Sequence, residues 1–278
     1  MLRNGVYSFT GICTEGKYLN RYGINRELYL EWDTERSPNR LVRPTFPELY
    51  PPEKLLLSRQ KRVAAYSNKG HYCDNTIIMA IKACELEKID NNSIKKYYKN
   101  IGKDRLEVEN ESINYNLKYI LSIINSKLIN YFIKFESKGK IDFYPDDWKR
   151  IPIRNISLEI QTPFIEKSDL MITLNAELQG ISEKFQRTLQ RKFELEVLPK
   201  KLQEYYQLTF AEFIKELSKK KVKLSLSEEA EWEDYFLQEQ QNALVLKTKI
   251  EITDKEIDAM VYQLYGLTDD EISIIENS

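Results

Sequence analysis

Histidine is scarce in this chain of 278 residues, which contains a single one, His71. Its scarcity excludes metal sites built from several histidines. The three cysteines, Cys13, Cys73 and Cys84, do not follow the spacing of a zinc or redox motif, and an odd number fits a reducing compartment. The chain contains only nine glycines, which is few for a nucleotide-binding enzyme. Neither of the phosphate-binding motifs G-x-x-x-x-G-K-[ST] and G-x-G-x-x-G occurs. We therefore predict no catalytic residue and no metal site on this chain.

Long apolar runs are missing as well. No stretch approaches the 18 apolar residues that suggest a transmembrane helix, so no membrane partner is expected. Residues 1–5 do not resemble a secretory signal, and we expect a cytoplasmic protein. The content of 42% hydrophobic and 31% charged residues is typical of a globular chain.

Charge is distributed unevenly along the chain. The formal net charge of the whole sequence is −1, but residues 1–155 carry a net +8 and residues 156–278 a net −9. Such a division indicates one part that faces a polyanion and another with a different role. A solvated acidic helical surface that has no partner is the plainer interpretation of the second part.

The two parts also differ in their predicted secondary structure. Short strands and turns are predicted at residues 5–16, 28–32, 54–57 and 75–81, with a proline-rich loop at 37–53. Apolar residues at steps of three and four predict one amphipathic helix over 116–135. We place a domain boundary after this region, near residue 155.

The second part is predicted to be helical throughout. Thr162-Pro163 is a favourable helix start, and a heptad-like apolar seam from Met171 onward predicts a helix of about 35 residues, roughly 50 Å long. Helices are also expected over 226–252 and 253–266, and the first of these would pair antiparallel with the long helix. Four capping boxes predict further helix starts, at Thr209/Glu212, Ser225/Glu228, Thr253/Glu256 and Thr268/Glu271. The predicted fold is α+β, with a mixed domain (1–155) followed by an all-α domain (156–278) that has long antiparallel spacer helices.

A basic segment is the feature most indicative of function. No acidic residue lies between Lys54 and Asp74. Lysine and arginine neutralise phosphates, asparagine pairs with base edges, and tyrosine stacks on an extruded base. Candidate DNA contacts are therefore Lys54, Arg59, Lys61, Arg62, Tyr66, Asn68, Lys69, His71 and Tyr72, followed by Arg36, Arg40 and Arg43. An exposed basic hairpin without a ligand, and a purely structural His71, are the competing interpretations.

Two other classes of function remain open. Glu136-Ser137-Lys138, and Asp142 with Asp147-Trp148-Lys149, match the local pattern of a metal-dependent nuclease. They occur at a helix end and beside prolines, where that site is not expected. The other alternative is a coiled-coil assembly subunit that does not bind DNA.

Several segments resemble a known family. They are Arg43-Pro44, Phe46, Pro52-Glu53-Lys54-Leu55-Leu56, Tyr72-Cys73-Asp74-Asn75-Thr76-Ile77, Asn116 to Tyr131, Ile151-Pro152-Ile153 and Glu256 to Ile272. Together they resemble the TaqI-like C-terminal specificity domain, which recognises the target sequence in type IIG restriction-modification enzymes with adenine-specific methyltransferases. Type I specificity subunits share the arrangement of a recognition domain and a long helix.

The resemblance implies a non-catalytic role. Such domains contact double-stranded DNA in the major groove and position it so that a neighbouring methyltransferase can flip out adenine. Methyltransferase motifs are missing here, so the catalytic partner would be a methyltransferase/endonuclease domain or subunit outside this chain. S-adenosylmethionine and Mg²⁺ would belong to that partner, and no cofactor is expected on this chain.

Overall fold

The computed structural model describes residues 11–30, 47–137 and 139–278. The strands are β1 (Gly11–Thr14), β2 (Leu28–Leu30), β3 (Lys54–Ser58), β4 (Ala64–Ser67), β5 (Tyr72–Cys73) and β6 (Ile77–Ala80). The helices are α1 (Asn92–Ile101), α2 (Arg105–Ile113), α3 (Leu117–Asn125), α4 (Lys127–Ser137), α5 (Pro145–Trp148), α6 (Leu158–Phe193), α7 (Lys200–Gln203), α8 (Phe210–Lys219), α9 (Leu226–Tyr265) and α10 (Asp269–Glu276). Small sheets followed by long helices confirm the predicted α+β class.

The strands form two small sheets. One has the order β2-β1-β5, in which β1 runs antiparallel to β2 and parallel to β5. The other has the order β4-β3-β6 and is fully antiparallel. All five residues of β3 are buried, as expected for a central strand, and Leu56 packs with Leu19, Ala65 and Ile77.

The chain divides into two compact units. Unit 1 comprises the described residues up to Asp169 together with Glu256–Ser278, and unit 2 comprises Leu170–Lys255. Both α6 and α9 contribute residues to each unit, so this division falls inside these two helices.

Unit 2 has an aromatic core. The rings of Phe185 and Tyr205 stack with centroids 3.8 Å apart, and Phe236 packs against both. Phe193 of α6 contacts Trp232 of α9, whereas the earlier Phe185 contacts the later Phe236. The two helices are therefore antiparallel, as predicted.

Three of the predicted helix starts are confirmed and one is wrong. Capping boxes form at Thr209, Ser225 and Thr268, where each hydroxyl accepts from an amide three residues later. Thr253 instead lies inside the continuous helix α9, and its hydroxyl donates to the carbonyl of Lys249 at 2.9 Å. Its side chain is buried, so the local capping pattern is overridden by packing of the helix.

Two other helix boundaries differ from the prediction. The expected helix over 116–135 is broken at Ser126, which is extended (φ −69°, ψ 158°) between α3 and α4. The long helix α6 begins before Thr162, because Ser157 accepts the amides of Ile160 and Gln161. Pro163 therefore lies within the early part of α6 and not at its first position.

The basic segment contains more strand than predicted. The expected strands at 54–57 and 75–81 correspond to β3 and β6, which pair directly. Between them the chain forms β4 and β5, where we predicted a polar turn. The apolar side chains of Ala64 and Ala65 are buried, which explains the additional strand β4.

Candidate nucleic-acid interface

The β3–β4 hairpin determines where the candidate DNA contacts lie. Lys54 pairs with Ser67 at its open end, and Leu57 pairs with Ala64 near its turn. Strands rise about 3.3 Å per residue, so the four steps along β3 from Lys54 to Ser58 cover about 13 Å. The candidates therefore form two groups: Arg59, Lys61 and Arg62 at the turn, and Lys54, Tyr66, Asn68, Lys69, His71 and Tyr72 at or beyond the open end.

The turn itself is tightly bonded. Ser58 donates its amide to the carbonyl of Val63 at 3.0 Å, and its hydroxyl accepts the amide of Lys61 at 3.2 Å. Arg62 adopts a left-handed backbone conformation with φ +58°. The side chains of Gln60 and Lys61 are exposed at the tip, so a base or phosphate can approach them directly.

Side chains of the turn reach two other segments. Lys61 Nζ donates to the carbonyls of Lys17 and Leu19 at 2.6 and 2.9 Å. Arg62 Nη2 donates to the carbonyl of Lys140 at 2.6 Å. These bonds assemble five cations from three parts of the sequence, which we call the turn-end cluster: Lys17, Arg59, Lys61, Arg62 and Lys140.

Three cations of the turn-end cluster form ion pairs with acidic side chains. Arg59 is held by Asp142 at 2.9 Å, by the carbonyl of Asn75 at 2.6 Å and by the ring of Tyr144. Lys140 pairs with Asp147 at 2.7 Å, and Lys17 pairs with Glu15. Lys17 and Lys140 remain about half exposed or more, so solvent and salt screen their side of these pairs.

Two residues of the open-end group lie in the interior. Lys54 is fully buried, and its ammonium donates to the carbonyls of Tyr50 and Pro52. Burial lowers the pKa of Lys54. His71 is 1% exposed. Neither side chain can meet a phosphate or base in this conformation, and we leave both out of the interface.

His71 joins the two sheets through hydrogen bonds. Its Nδ1 lies 2.6 Å from Ser67 Oγ, and its Nε2 lies 3.2 Å from Glu27 Oε1. A carboxylate can only accept, so Nε2 carries the proton and Nδ1 accepts from the serine hydroxyl. Burial lowers the pKa of His71, while the carboxylate of Glu27 opposes this shift. The structural interpretation of this histidine fits its surroundings.

The remaining open-end residues differ in accessibility. Tyr72 stacks on Tyr50 with centroids 4.3 Å apart, so its ring is occupied within the fold. Tyr66 is half-buried beneath the ammonium of Lys118. Asn68 and Lys69 are exposed, although Lys69 pairs with Glu27 at 2.8 Å. Asn68 and Lys69 are therefore the two residues of the open-end group that a ligand can reach. Arg36, Arg40 and Arg43 lie outside the described residues.

The acidic residues of the alternative nuclease patterns are engaged in ion pairs. Glu136 binds Arg150 at 3.1 Å, Asp142 binds Arg59, and Asp147 binds Lys140. Lys138 lies outside the described residues. Within the described ranges, no group of three His, Cys, Asp or Glu side chains is arranged to hold a metal ion.

None of the helices in the described ranges is long and apolar enough to cross a membrane.

An apolar cavity of about 530 Å³ in unit 1 was not predicted from the sequence. Its lining includes Leu57 of β3, Ile78 of β6, Ile94 of α1, Ile120 of α3 and Trp148 of α5. These residues come from distant parts of the chain, so no local pattern could have revealed the cavity. Its largely apolar lining offers little to a nucleic acid, and it has no part in the function proposed below.

Comparison with known proteins bears on the helical part of the chain. A family described as a domain of unknown function (DUF8810) matches residues 157–261, from the residue before α6 to a point inside α9. No curated protein and no solved structure matches the chain. The matched region includes all of unit 2 and begins one residue after the start that we predicted for the helical domain.

Proposed function

We propose that this chain recognises a specific sequence in double-stranded DNA as the specificity module of a bacterial, cytoplasmic restriction-modification system. It would direct an adenine methyltransferase/endonuclease that is not on this chain, and that partner would bind S-adenosylmethionine and Mg²⁺. The observation that carries the proposal is the turn-end cluster, in which five basic residues lie at or beside an exposed hairpin turn. The resemblance of several sequence segments to target-recognition domains supports the same function.

Each part of the turn suits a different contact with the duplex. The ammonium groups of Lys17, Lys61 and Lys140 would bind phosphates and release counterions. The exposed amide of Gln60 at the tip would pair with a base edge, for which adenine is the usual partner of glutamine. Phosphates would replace Glu15 at Lys17 and Asp147 at Lys140, and at Lys61 they would compete with the carbonyls of Lys17 and Leu19.

The open end of the hairpin provides a second contact. Asn68 and Lys69 are exposed there, at the far end of β3, whose length is about 13 Å by the strand rise. The major groove of B-DNA is about 12 Å wide. A duplex lying along the hairpin would therefore meet Lys69 at one backbone and the turn-end cluster at the other. Arg59 and Arg62 would act by holding the turn in place, since their guanidinium groups bind Asp142 and the Lys140 carbonyl.

Selection from random duplexes, followed by binding measurements on the selected sequence, tests the proposal. We expect one enriched site that binds at least roughly a thousandfold more tightly than unrelated DNA. Replacing Lys17, Lys61 and Lys140 together by alanine should weaken binding by more than tenfold. The matched control replaces three exposed lysines of unit 2, Lys215, Lys223 and Lys249, and should leave the affinity unchanged. Thermal melting of each variant shows whether the fold persists.

Two results would contradict the proposal. One is the absence of any enriched duplex. The other is equal loss of binding in the triple variant and its control, which would mean that the total charge matters and the turn does not. Cleavage of the duplex with Mg²⁺ alone that is lost in Glu136→Ala would favour the nuclease alternative instead.

A further inference from the structure

The apolar cavity of unit 1 has the size and lining of a site for a small molecule. Its volume of about 530 Å³ lies in the range of roughly 300–1,000 Å³ that such sites occupy. The sheet contributes Leu57 of β3 and both Ile78 and Ala80 of β6 to the lining. The helices contribute Ile94 of α1 and Ile120 of α3. Aliphatic side chains from several elements suit the hydrocarbon body of a ligand.

All the polar side chains that line the cavity can donate hydrogen bonds. They are Ser93, Tyr97, Tyr98, Trp148 and Lys149. No aspartate or glutamate belongs to this lining of described residues, so Lys149 is its one charged side chain. Glu109, which the Tyr98 hydroxyl reaches at 3.5 Å, already pairs with Arg105 at 2.6 Å. The lining therefore matches an anionic group and offers no counter-charge to a cationic one.

Trp148 is a buried member of the lining whose polar atom is unsatisfied. The side chain is 7% exposed, and its ring meets Phe143 edge to face with centroids 5.1 Å apart. Its indole Nε1 is buried and has no hydrogen-bond partner among the described residues. A buried donor without an acceptor is unfavourable, and an oxygen of a ligand in the cavity would remove that cost.

Lys149 can exchange its present partner for a ligand. Its ammonium pairs with Asp146 at 3.2 Å, and the Asp146 side chain is 93% exposed. Solvent and salt screen an exposed pair of this kind. Because Lys149 itself is 59% exposed, a carboxylate at the cavity can replace Asp146 and remain partly in water while its apolar chain is buried.

We infer that the apolar cavity of unit 1 binds a monocarboxylate with an unbranched hydrocarbon chain, which is the chemistry of a fatty acid. The chain contacts the aliphatic side chains of β3, β6, α1 and α3. The carboxylate accepts from the ammonium of Lys149, and the indole N–H of Trp148 is a second donor. The inference does not rest on the proposed function in DNA recognition.

Titration of the full chain with dodecanoate, followed by calorimetry and by tryptophan fluorescence, tests the inference. We expect one molecule to bind per chain with a dissociation constant below about 100 μM, which is within reach of a ligand of this size. Dodecyltrimethylammonium has the same chain and a cationic head, and it should bind at least roughly tenfold more weakly. The fluorescence response to dodecanoate should be lost in Trp148→Phe and kept in Trp232→Phe, which changes a tryptophan of unit 2.

Two further variants, each with a matched control, locate the site. Ala83 lines the cavity, so Ala83→Phe should fill part of it and weaken dodecanoate binding by roughly tenfold or more. Ala211→Phe, at an exposed alanine of α8, should have no effect. Lys149→Met should weaken dodecanoate binding roughly tenfold and leave binding of the cationic compound unchanged. Lys215→Met, at an exposed lysine of α8, should change neither.

Three results would overturn the inference. They are the absence of dodecanoate binding, equal binding of the anionic and cationic compounds, and unaltered dodecanoate binding in Lys149→Met. Thermal melting shows whether each variant keeps its fold. If Ala83→Phe does not fold, Lys149→Met still decides, because its side chain is largely exposed and its loss leaves the core intact.

Discussion

Asn125 forms two hydrogen bonds with one backbone position, Ala64, which is 61 residues away in sequence. Its Oδ1 accepts the amide of Ala64 at 3.0 Å, and its Nδ2 donates to the carbonyl at 2.9 Å. β4 is an edge strand of its sheet, and among the described residues its outer side is met by the isolated bridge from Tyr22 to Ala65 and not by a full strand. The last residue of α3 therefore takes the place of a strand and joins the helix to the hairpin that carries the turn-end cluster.

Replacing Asn125 by alanine should destabilise unit 1. The buried amide of Ala64 would lose its acceptor, whereas its carbonyl would keep the amide of Tyr22 as a donor. We expect the free energy of unfolding to fall by about 1–3 kcal/mol. Urea denaturation monitored by circular dichroism measures this change. Asn110→Ala, at an exposed asparagine of α2, is the control, and an equal loss there would contradict the role assigned to Asn125.

Removing the carboxylate of Asp258 should weaken the start of α4. Asp258 Oδ1 accepts the amide of Lys127 at 2.8 Å, so a residue of α9 caps a helix that begins 131 positions earlier. Loss of a helix cap costs about 1 kcal/mol, and Asp258→Ala should lower the unfolding free energy by about that amount. Asp258→Asn keeps an oxygen in the same place and should lose less. Equal losses in both variants would show that the charge matters more than the cap.

The stability of the protein should fall in mild acid because of His71. Burial lowers the pKa of His71, with Lys69 and Lys54 acting in the same direction and Glu27 acting against them. Above about pH 6.5, the ordinary pKa of histidine, the residue is neutral in both states and its contribution is complete. Below that pH the unfolded chain binds a proton more readily, so stability decreases until the pH passes the lower folded pKa.

Proton NMR gives a direct check, because the chain contains a single histidine. The midpoint of its titration in the folded protein should lie below pH 6.5. In His71→Asn, the unfolding free energy should lose part of its dependence on pH in this window. A folded midpoint at or above the ordinary value would contradict the effect attributed to burial.

The salt dependence of DNA binding should report how many phosphates the turn-end cluster contacts. Each contact contributes about 0.9 to the slope of log affinity against log salt concentration. Lys61→Ala and Lys140→Ala should each reduce the magnitude of that slope by about 1, with similar losses on specific and unrelated duplexes. Gln60→Ala should instead relax the preference at one base pair and leave the slope unchanged. Fluorescence anisotropy on both duplexes separates these effects, and an unaltered slope in both lysine variants would remove these residues from the phosphate contacts.

Helix starts could be predicted where the signal is local. Thr209 and Glu212 are three residues apart and cap α8 as the sequence indicates. The same pattern at Thr253 was misleading, because packing of α9 along its buried face keeps the helix continuous there. The break at Ser126 was missed since the apolar spacing continues across it, although Ser126 Oγ is a local cap that accepts the amide of Ile129. The amide of Lys127 is capped by Asp258 in a distant helix.

Local patterns were enough to predict the α+β class, the long helices with their apolar seam, and the positive charge between Lys54 and Asp74. Periodicity and capping act within one or two turns, so they can be recognised without the fold. Which cations reach the surface depends on the tertiary structure. Lys54 is placed in the interior, whereas Lys61 is joined to Lys17, 44 residues away. Burial depends on which distant segments pack over a side chain, and no local pattern specifies that.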